Sequence, residues 1–515
     1  MRRLVAGVAL VVVVVLVAGI AFVATRGGGS SVDTSAGPTP VVPSGGPPAA
    51  RPASAAFARF YDQRLDWSDC GSGNQCASLT VPLDYRHPGG TTIRLHLLKV
   101  PAAGSRLGSL VVNPGGPGAS GSTYAAGRGT YFGDPLLAHF DIVGFDPRGT
   151  GDSAPVECLG DRAFDAYLSA DPDPRTPAEV AAFRSGQLAL ARGCARSPVA
   201  AHISTVDAAR DMDVLRAALG ERRMNYLGAS YGTKLGATYA QLFPQRVGRF
   251  VLDGAVDPAL GTRASALQQA AGFQRALGAY AANCVQSDVG CFLGASVADV
   301  QQSITALLDQ ISATPLKTDD GRELTAGNAF YGIAATLYNR GYWIILSQAL
   351  RSALNGDGSL LMKLADAYAS RNADGTFQSN FLEAFYDISC LDDPYSLPYR
   401  KVPSQFAAFE KASPVFGRIY AWGLTSCDGF TPRSDEPVPA IHAQGAQPIV
   451  VVGTTRDPAT PYRWAVALSR QLDSGVLVRR DGDGHTGYHQ GNACVDGAVE
   501  GYLVSGKVPR NGLSC

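Results

Sequence analysis

Short apolar segments alternate with helical patterns along most of the chain. Six of these segments are continuous runs of mostly apolar side chains: 110–112, 142–145, 226–227, 250–252, 449–452 and 476–478. Runs of this length predict strands buried on both faces, and the helical patterns between them predict crossover connections. The pattern therefore predicts an α/β fold with a mostly parallel central sheet.

Residues 259–435 interrupt this alternation. Apolar positions recur there at helical spacing, with no clear strand run, in the segments 264–282, 297–314, 326–354 and 360–368. Because strand patterns return afterwards, we expect a mainly helical cap inserted above the sheet rather than a separate helical domain. The main domain would then consist of residues 56–258 and 436–515, on either side of the cap at 259–435.

The N-terminus carries the one long apolar run of the sequence. Two arginines precede the unbroken run 4–24, which is typical of an export signal and is also long enough to span a bilayer. Residues 1–25 are therefore expected to be a signal peptide or a membrane anchor. Residues 26–55 are rich in Gly, Ser, Thr, Pro and Ala, which predicts a flexible linker. The body would be extracellular or in the cell envelope, with membrane contact only through this segment.

Ten cysteines agree with export. An even number behind a signal sequence indicates five disulfides in an oxidising compartment. The spacing does not determine the connectivity, but short loops are the easiest to close. That favours pairing of sequential neighbours: 70 with 76, 158 with 194, 284 with 291, 390 with 427 and 494 with 515. Zinc is the rival interpretation, weakened by the lack of a Cys-x-x-Cys pair.

Composition excludes several functional classes. The 515 residues include 44 basic and 44 acidic side chains, so the net charge is zero, and 46% of residues are hydrophobic against 17% charged. A disordered chain would be more charged, and a nucleic-acid-binding protein would carry a basic excess or stripe. A transporter with many membrane spans would need more than one long apolar run. A large globular body remains.

A candidate nucleophile follows the third of the apolar runs. Residues 228–232, Gly-Ala-Ser-Tyr-Gly, fit the G-x-S-x-G nucleophile elbow. The motif alone is weak, but here a strand precedes the serine and a helix follows it, as the elbow requires. The glycines let strand and helix pass closely and leave the Ser230 hydroxyl exposed. A serine hydroxyl is unreactive at neutral pH, so a base and an orienting acid are needed.

In proteins with this elbow, the acid and then the histidine base follow the nucleophile along the chain, in the order Ser, Asp or Glu, His. His485 lies in a glycine-rich loop just after the apolar run 476–478. His442 precedes a strand and so lies at the wrong end of the sheet, which leaves His489 as second choice. For the acid, Asp457 follows the run 449–452, next to the strand that delivers His485. Its competitor is Asp253, whose alternative role is to cap a turn.

Two backbone N–H groups are needed to stabilise an oxyanion. One should belong to Tyr231, directly after the nucleophile. The other should come from the loop 113–118, Asn-Pro-Gly-Gly-Pro-Gly, where the missing Cβ atoms allow close approach, and Gly116 is favoured. Arg148, after another strand end, is expected to brace loops by hydrogen bonding.

Seven segments together resemble the α/β-hydrolase exopeptidases related to prolyl aminopeptidase, and within them the secreted tripeptidyl aminopeptidases of actinobacteria. The matching segments, which extend the resemblance over residues 57–515, are 113–118, Phe-Asp-Pro-Arg-Gly-Thr-Gly-Asp-Ser at 145–153, Gly-Ala-Ser-Tyr-Gly-Thr at 228–233, Val-Leu-Asp-Gly at 251–254, Ile-Ser-Cys-Leu-Asp at 388–392, Gly-Thr-Thr-Arg-Asp-Pro-Ala-Thr-Pro at 453–461 and Gly-His-Thr at 484–486. Pro114 stands where prolyl aminopeptidases have His, which leaves specificity for proline open.

The resemblance implies a triad of Ser230, Asp457 and His485, in agreement with the residue-level argument. It also implies release of short peptides from free N-termini of peptides or proteins, with no metal or organic cofactor. Such an enzyme must bind an α-ammonium group, for which a carboxylate is the natural partner. Asp392 is the first candidate, and Glu383, Asp387 and Asp393 are the others; a solvated acidic loop beside a disulfide is the alternative.

Two other functions remain open at this point. A carboxylesterase or lipase would use the same triad on esters, with an apolar groove in place of a closed pocket containing an acid. A non-catalytic envelope binding protein could have a hydrolase scaffold, although the complete Ser, Asp and His set argues against it.

Overall fold

The predicted strands lie in one large sheet in a computed structural model, which describes residues 55–287 and 290–515. Twelve strands are present in these ranges: β1 (Ser68–Asp69), β2 (Gln75–Pro82), β3 (Thr92–Val100), β4 (Gly108–Asn113), β5 (Phe140–Phe145), β6 (Met224–Ala229), β7 (Val247–Asp253), β8 (Leu316–Lys317), β9 (Glu323–Leu324), β10 (Ile449–Arg456), β11 (Gly475–Asp483) and β12 (Leu513–Ser514). All but β8 and β9 form a ten-stranded sheet in the order β1-β2-β3-β5-β4-β6-β7-β10-β11-β12.

The sheet is parallel from β5 to β12 and antiparallel from β1 to β5. The central strand β4 is buried along its whole length, whereas β3 alternates between exposed and buried positions. The sequence accounts for this difference. A strand covered on both faces, such as β4, is a continuous apolar run, whereas a strand with one face in solvent, such as β3, alternates apolar and polar residues. The prediction of a mostly parallel central sheet is confirmed.

Helices cover both faces of the sheet. Those that precede the cap are α1 (Ala58–Tyr61), α2 (Gly121–Ala126), α3 (Asp134–His139), α4 (Asp161–Ser169), α5 (Pro177–Cys194), α6 (Thr205–Ala218) and α7 (Tyr231–Leu242). One apolar cluster lies between the sheet and the helices that include α5, α6 and α7, and another lies on the opposite face.

The region between β7 and β10 is mainly helical and has an apolar core of its own. Its helices are α8 (Thr262–Val285), α9 (Val297–Ala313), α10 (Ala326–Leu337), α11 (Trp343–Leu354), α12 (Ser359–Ala369), α13 (Phe381–Asp392), α14 (Phe406–Ala412) and α15 (Gly417–Gly423). After it come α16 (Tyr462–Gln471) and α17 (Ala493–Ser505).

Two details of this helical region differ from the prediction. The helical segment expected at 326–354 is divided into α10 and α11, because Asn339 adopts an extended conformation and its side chain caps the next turn by accepting from Gly341 N–H. In addition, β8 and β9 pair as a short antiparallel hairpin in a region where no strand was expected. The apolar pattern could not reveal either feature, since both depend on turns.

The ten cysteines form five disulfides, in the pairing expected for sequential neighbours. One of them, Cys390–Cys427, joins α13 to the segment that follows α15. The disulfide therefore links two parts of the cap close to Asp392, the first candidate for binding the ammonium group.

Arg148 braces loops, as predicted. Its buried guanidinium donates to both carboxylate oxygens of Asp211 at 2.7 Å and to the carbonyls of Pro82, Leu83 and His202. A buried charge is stable only when it is paired and hydrogen-bonded in this way. The contact ties the end of β2 to the loop after β5 and to α6.

The N-terminal segment at 1–25 and all of the linker at 26–55 except Ala55 lie outside the described residues. Within the described ranges, no helix combines the length and the apolar character that a bilayer crossing requires.

Candidate active site

Ser230 occupies the sharp turn between β6 and α7. Its backbone has φ 57° and ψ −126°, a conformation that residues with a side chain rarely adopt. The flanking glycines make the turn possible: a Cβ at Gly228 would lie 2.5 Å from the carbonyl oxygen of Gly232, and one at Gly232 would lie 2.8 Å from that of Asn113. The Ser230 N–H donates to the Asp253 carbonyl at 2.9 Å, which fixes the turn to the end of β7.

His485 and Asp457 form a close pair. Nδ1 of His485 lies 2.9 Å from both carboxylate oxygens of Asp457. Asp457 is fully buried and accepts N–H bonds from Ala459, Thr460 and Thr486, so its orientation is determined by the backbone around it. Among the described residues, Nε2 of His485 is buried without a hydrogen-bond partner, and it is the nitrogen that a general base would use.

Thr460 is a third member of this group that the sequence argument did not find. Its hydroxyl donates to Oδ2 of Asp457 at 3.1 Å and lies 3.3 Å from Nδ1 of His485. The sequence feature that could have indicated this role is the position of Thr460, three residues after Asp457. It lies in the turn whose N–H groups bind the carboxylate. The hydroxyl restricts the orientation of both partners.

Asp253 holds the loop that carries His485. Its buried carboxylate accepts from the N–H groups of Gly487 and Tyr488, with shortest distances of 2.8 Å to each. The competing candidate for the acid therefore contacts the backbone of the histidine loop rather than the imidazole. This contact places a second negative charge near the ring.

The cap also touches His485 directly. The carbonyl of Tyr338, at the end of α10, accepts from the His485 N–H at 2.7 Å. The phenol ring meets the imidazole edge-on, with ring centres 5.3 Å apart. Gly484, with φ 97°, makes the approach possible, because a Cβ there would be 2.9 Å from the same carbonyl oxygen. The position of His485 thus depends on the cap as well as on the sheet.

Burial and the neighbouring carboxylates act in opposite directions on the pKa of His485. Burial on its own would lower the pKa of His485, but the charges of Asp457 and Asp253 outweigh it, so the pKa lies above its ordinary value. Burial raises the pKa of Asp253 to about 6, against the opposing effect of its bonds to Gly487 and Tyr488. Both carboxylates therefore stabilise the imidazolium that would form on proton transfer.

The glycine loop after β4 packs against the elbow. The side chain of Asn113 accepts from Gly115 N–H at 2.9 Å, and a Cβ at Gly115 would lie 2.9 Å from Tyr231 N. Gly116 follows with φ 102°. In the described part of the chain, no hydrogen bond uses the N–H of Gly116 or of Tyr231. Both expected oxyanion donors are therefore unoccupied beside Ser230.

A cavity of about 700 Å³ lies between the sheet and the cap, and Ser230, His485, Gly116 and Tyr231 all line it. Its volume is in the range of ligand-binding cavities. Aromatic residues from α4, α5 and the cap form much of the wall, and the lining carboxylates are Asp257, Asp392 and Asp393. Within 55–287 and 290–515, no cluster of His, Cys, Asp and Glu side chains could hold a metal ion.

The candidate ammonium ligands are placed differently from one another. Asp392 lines the cavity but is paired with Lys234 Nζ at 2.6 Å and accepts from Thr205. Asp393 lines the cavity and accepts from the N–H and hydroxyl of Thr262. Asp257 accepts from Gln471 and from the N–H of Ala259. Asp393 and Asp257 form no ion pair with any described residue.

Glu383 and Asp387 do not belong to the cavity lining. Glu383 is buried and accepts from the N–H groups of Cys158 and Leu159, which corrects its expected place in a substrate site. Burial raises the pKa of Glu383 and of Asp387 to about 7 each. On α13, positions 383 and 387 are one turn apart, so both lie on the face turned away from the cavity.

Known proteins are similar to this chain over most of its length. Residues 413–515 match the family model described as TAP-like protein. Serine protease Hip1 of Mycobacterium tuberculosis is 36% identical, over 88% of this chain and 91% of its own. Tripeptidyl aminopeptidase of Streptomyces lividans is 31% identical, over 90% and 89%. This chain belongs to the TAP-like α/β-hydrolases. Another member, Carboxylesterase B of M. tuberculosis, is 38% identical over 86% of each chain.

The contact of Thr460 with both partners leads to a prediction about turnover. Thr460→Val keeps the shape and removes the hydroxyl, so the imidazole and Asp457 lose a shared orienting bond. Hydrogen bonds to charged groups contribute about 1.5–3 kcal/mol, and we therefore expect kcat to fall roughly 10- to 100-fold at little change in KM. Thr460→Ser, which restores the hydroxyl, is the control. Equal activity of the Val and Ser variants would contradict the role.

The contact of Asp253 with the histidine loop leads to a prediction about pH. Asp253→Asn keeps an acceptor for the loop but removes a charge that raises the pKa of His485. Because the base must be unprotonated, activity is lost as pH falls through that pKa, so the acid limb of kcat/KM should move to lower pH. Titration of kcat/KM for both proteins measures this. Asp473→Asn, which removes a charge outside the cavity lining, is the control. An unmoved or upward-shifted limb in Asp253→Asn would contradict the assignment.

Proposed function

We propose that this protein is a serine exopeptidase that releases short peptides, foremost tripeptides, from free N-termini. The observation that carries the proposal is that Ser230 and His485, with Asp457 behind it, line a cap-covered cavity whose other charged lining groups are mainly carboxylates. An acidic pocket next to the nucleophile suits a peptide bound by its amino end. The relatives named serine protease and tripeptidyl aminopeptidase support the peptidase class.

The proposed reaction is acyl transfer through a covalent intermediate. His485 accepts the hydroxyl proton as Oγ of Ser230 attacks the scissile carbonyl carbon, and Asp457 stabilises the imidazolium. The N–H groups of Gly116 and Tyr231 bind the oxyanion. His485 then protonates the leaving amine, which departs with its electron pair. Water attacks the acyl-enzyme with the same groups and regenerates Ser230.

We further propose that the peptide's ammonium group is bound by Asp393. Asp392, the first candidate from the sequence, has its charge neutralised by Lys234, whereas Asp393 lines the same cavity without a cationic partner. An uncompensated carboxylate attracts an ammonium group more strongly than one already in an ion pair. Asp257 is a second uncompensated carboxylate in the lining. Lys234 and Asp392 together would hold α7 against α13.

The location we propose is extracellular or in the cell envelope. Five disulfides are typical of an oxidising compartment, and the apolar run at 4–24 is of the type that directs export. A cleaved signal and a retained anchor are both compatible with this run.

Ester hydrolysis is the second candidate function. The observations that favour it are the aromatic wall of the cavity and the relative named Carboxylesterase B. The triad geometry is common to both reactions, so the distinction must come from the substrate's amino end.

Three substrates separate the candidates: a tripeptidyl p-nitroanilide, its N-acetylated form and a short acyl p-nitrophenyl ester. We expect kcat/KM to be highest for the free amine, with Ser230→Ala at least about 10⁴-fold less active on each and still folded. A fluorophosphonate probe should label the wild type and not the variant. Indifference to acetylation with fast ester turnover would favour the esterase, and an unlabelled wild type would favour a binding protein.

The choice of Asp393 gives a separate prediction. Asp393→Asn should raise KM for the free tripeptidyl anilide roughly 10- to 100-fold, because a charged hydrogen bond to the ammonium group is weakened, and should leave the ester unchanged. Asp392→Asn is the matched comparison, expected to affect amine and ester alike. A selective loss of the amine substrate in Asp392→Asn alone would transfer the role to that residue.

A further inference from the structure

A second, smaller cavity lies beside the proposed substrate cavity. Its volume is about 350 Å³, and it shares four wall residues with the larger one: Tyr167, Ala170, Phe183 and Gly186. Of these four, only Tyr167 and Phe183 have large side chains. The two rings therefore make up most of the partition between the cavities.

The smaller cavity is a groove between α4 and α5 that faces solvent. Small, exposed side chains form much of its lining, namely Ala163, Ala166, Ala182 and Ala189. The smaller cavity therefore lies on the solvent side of Tyr167 and Phe183, and the substrate cavity lies on their other side. Removing the rings would join the two spaces.

Neighbouring aromatic residues hold both rings in place. Tyr167 stacks on Phe164 at 6.1 Å between ring centres and meets Tyr386 of α13 edge-on at 5.7 Å. A Cβ at Gly186 would be 3.6 Å from the Tyr167 ring, so α5 passes directly behind it. These contacts make Tyr167 a fixed wall rather than a mobile side chain.

Phe183 is fixed in the same manner from the cap side. Its ring lies 5.9 Å from that of Trp422 and 6.5 Å from that of Tyr399, both in edge-on arrangements. Edge-on aromatic pairs attract one another in addition to burying apolar area. The partition is therefore built jointly by the body, through α4 and α5, and by the cap.

We infer that Tyr167 and Phe183 close the substrate cavity and set the length of the peptide that the enzyme releases. This inference rests on the proposed function, because it needs a substrate whose carbonyl is held at Ser230 and whose amino end extends into the cavity. Asp393 supplies the charge that the amino end meets, and the two rings supply the stop. A longer amino end would have to pass through the wall into the groove.

The test measures how activity depends on peptide length. Free-amino alanyl p-nitroanilides of two to six residues are assayed with wild type, Tyr167→Ala, Phe183→Ala and the double variant. We expect wild type to prefer the tripeptide, and the variants to gain about tenfold or more in kcat/KM for five and six residues relative to three. Thermal unfolding verifies that each variant is folded. If Tyr167→Ala is not folded, Tyr167→Leu is used in its place.

The matched control is Phe273→Ala, which enlarges the substrate cavity at a ring that contacts Tyr338 and Tyr420 rather than Tyr167 or Phe183. An unchanged length profile in Tyr167→Ala and Phe183→Ala would overturn the inference, as would an equal shift in Phe273→Ala. If wild type hydrolyses no peptidyl anilide but does hydrolyse acyl esters, the peptidase proposal fails on its own. In that case Tyr167→Ala and Phe183→Ala should hydrolyse esters with longer acyl chains than the wild type does. If they do not, the inference that the two rings close the cavity is overturned. Inactivity on both series would overturn both proposals.

Discussion

Two buried carboxylates at the ends of neighbouring strands determine how the candidate active site is assembled. Asp253 closes β7 and Asp457 follows β10, and both are satisfied largely by backbone N–H groups. A buried charge without such partners would be strongly unfavourable. The chain meets this requirement by folding the glycine-rich loop after β11 onto both of them, and that loop carries His485. The need to hydrogen-bond these charges therefore determines the position of the histidine.

The same constraint explains why the cap matters to the chemistry. The histidine loop reaches out from the sheet far enough for the Tyr338 carbonyl to bind its backbone. The body supplies Ser230, Asp457 and Asp253, while the cap supplies one of the contacts that orient the base and most of the aromatic cavity wall. The reacting groups thus come from the body, whereas the wall of the cavity in front of them comes from both the body and the cap.

Much of this arrangement could be predicted from the sequence, because the ends of parallel strands meet at one edge of a sheet. Ser230, Asp457 and His485 each follow an apolar run. In the structure Asp457 contacts His485, and Ser230 and His485 line the same cavity. Thr460 and Tyr338 were not predicted, since their roles depend on turns and on how the cap packs. Glu383 could not be excluded beforehand, because only the fold shows which face of α13 it occupies. Lys234 neutralises Asp392 across 158 residues, a pairing that no local pattern reveals.

The pairing of β7 with β10 has a consequence for how this family can diversify. Asp253 and Val452 are register partners, although the whole cap is inserted between the two strands. Because the two strands are parallel, the insertion leaves the sheet at the carboxyl end of β7 and rejoins it at the amino end of β10. The ladder between the strands keeps their carboxyl ends aligned, and it does not depend on the size or internal path of the insertion. A cap is in this sense an exchangeable module: evolution can replace it, or a chimera can graft it, while the strand ends keep their alignment.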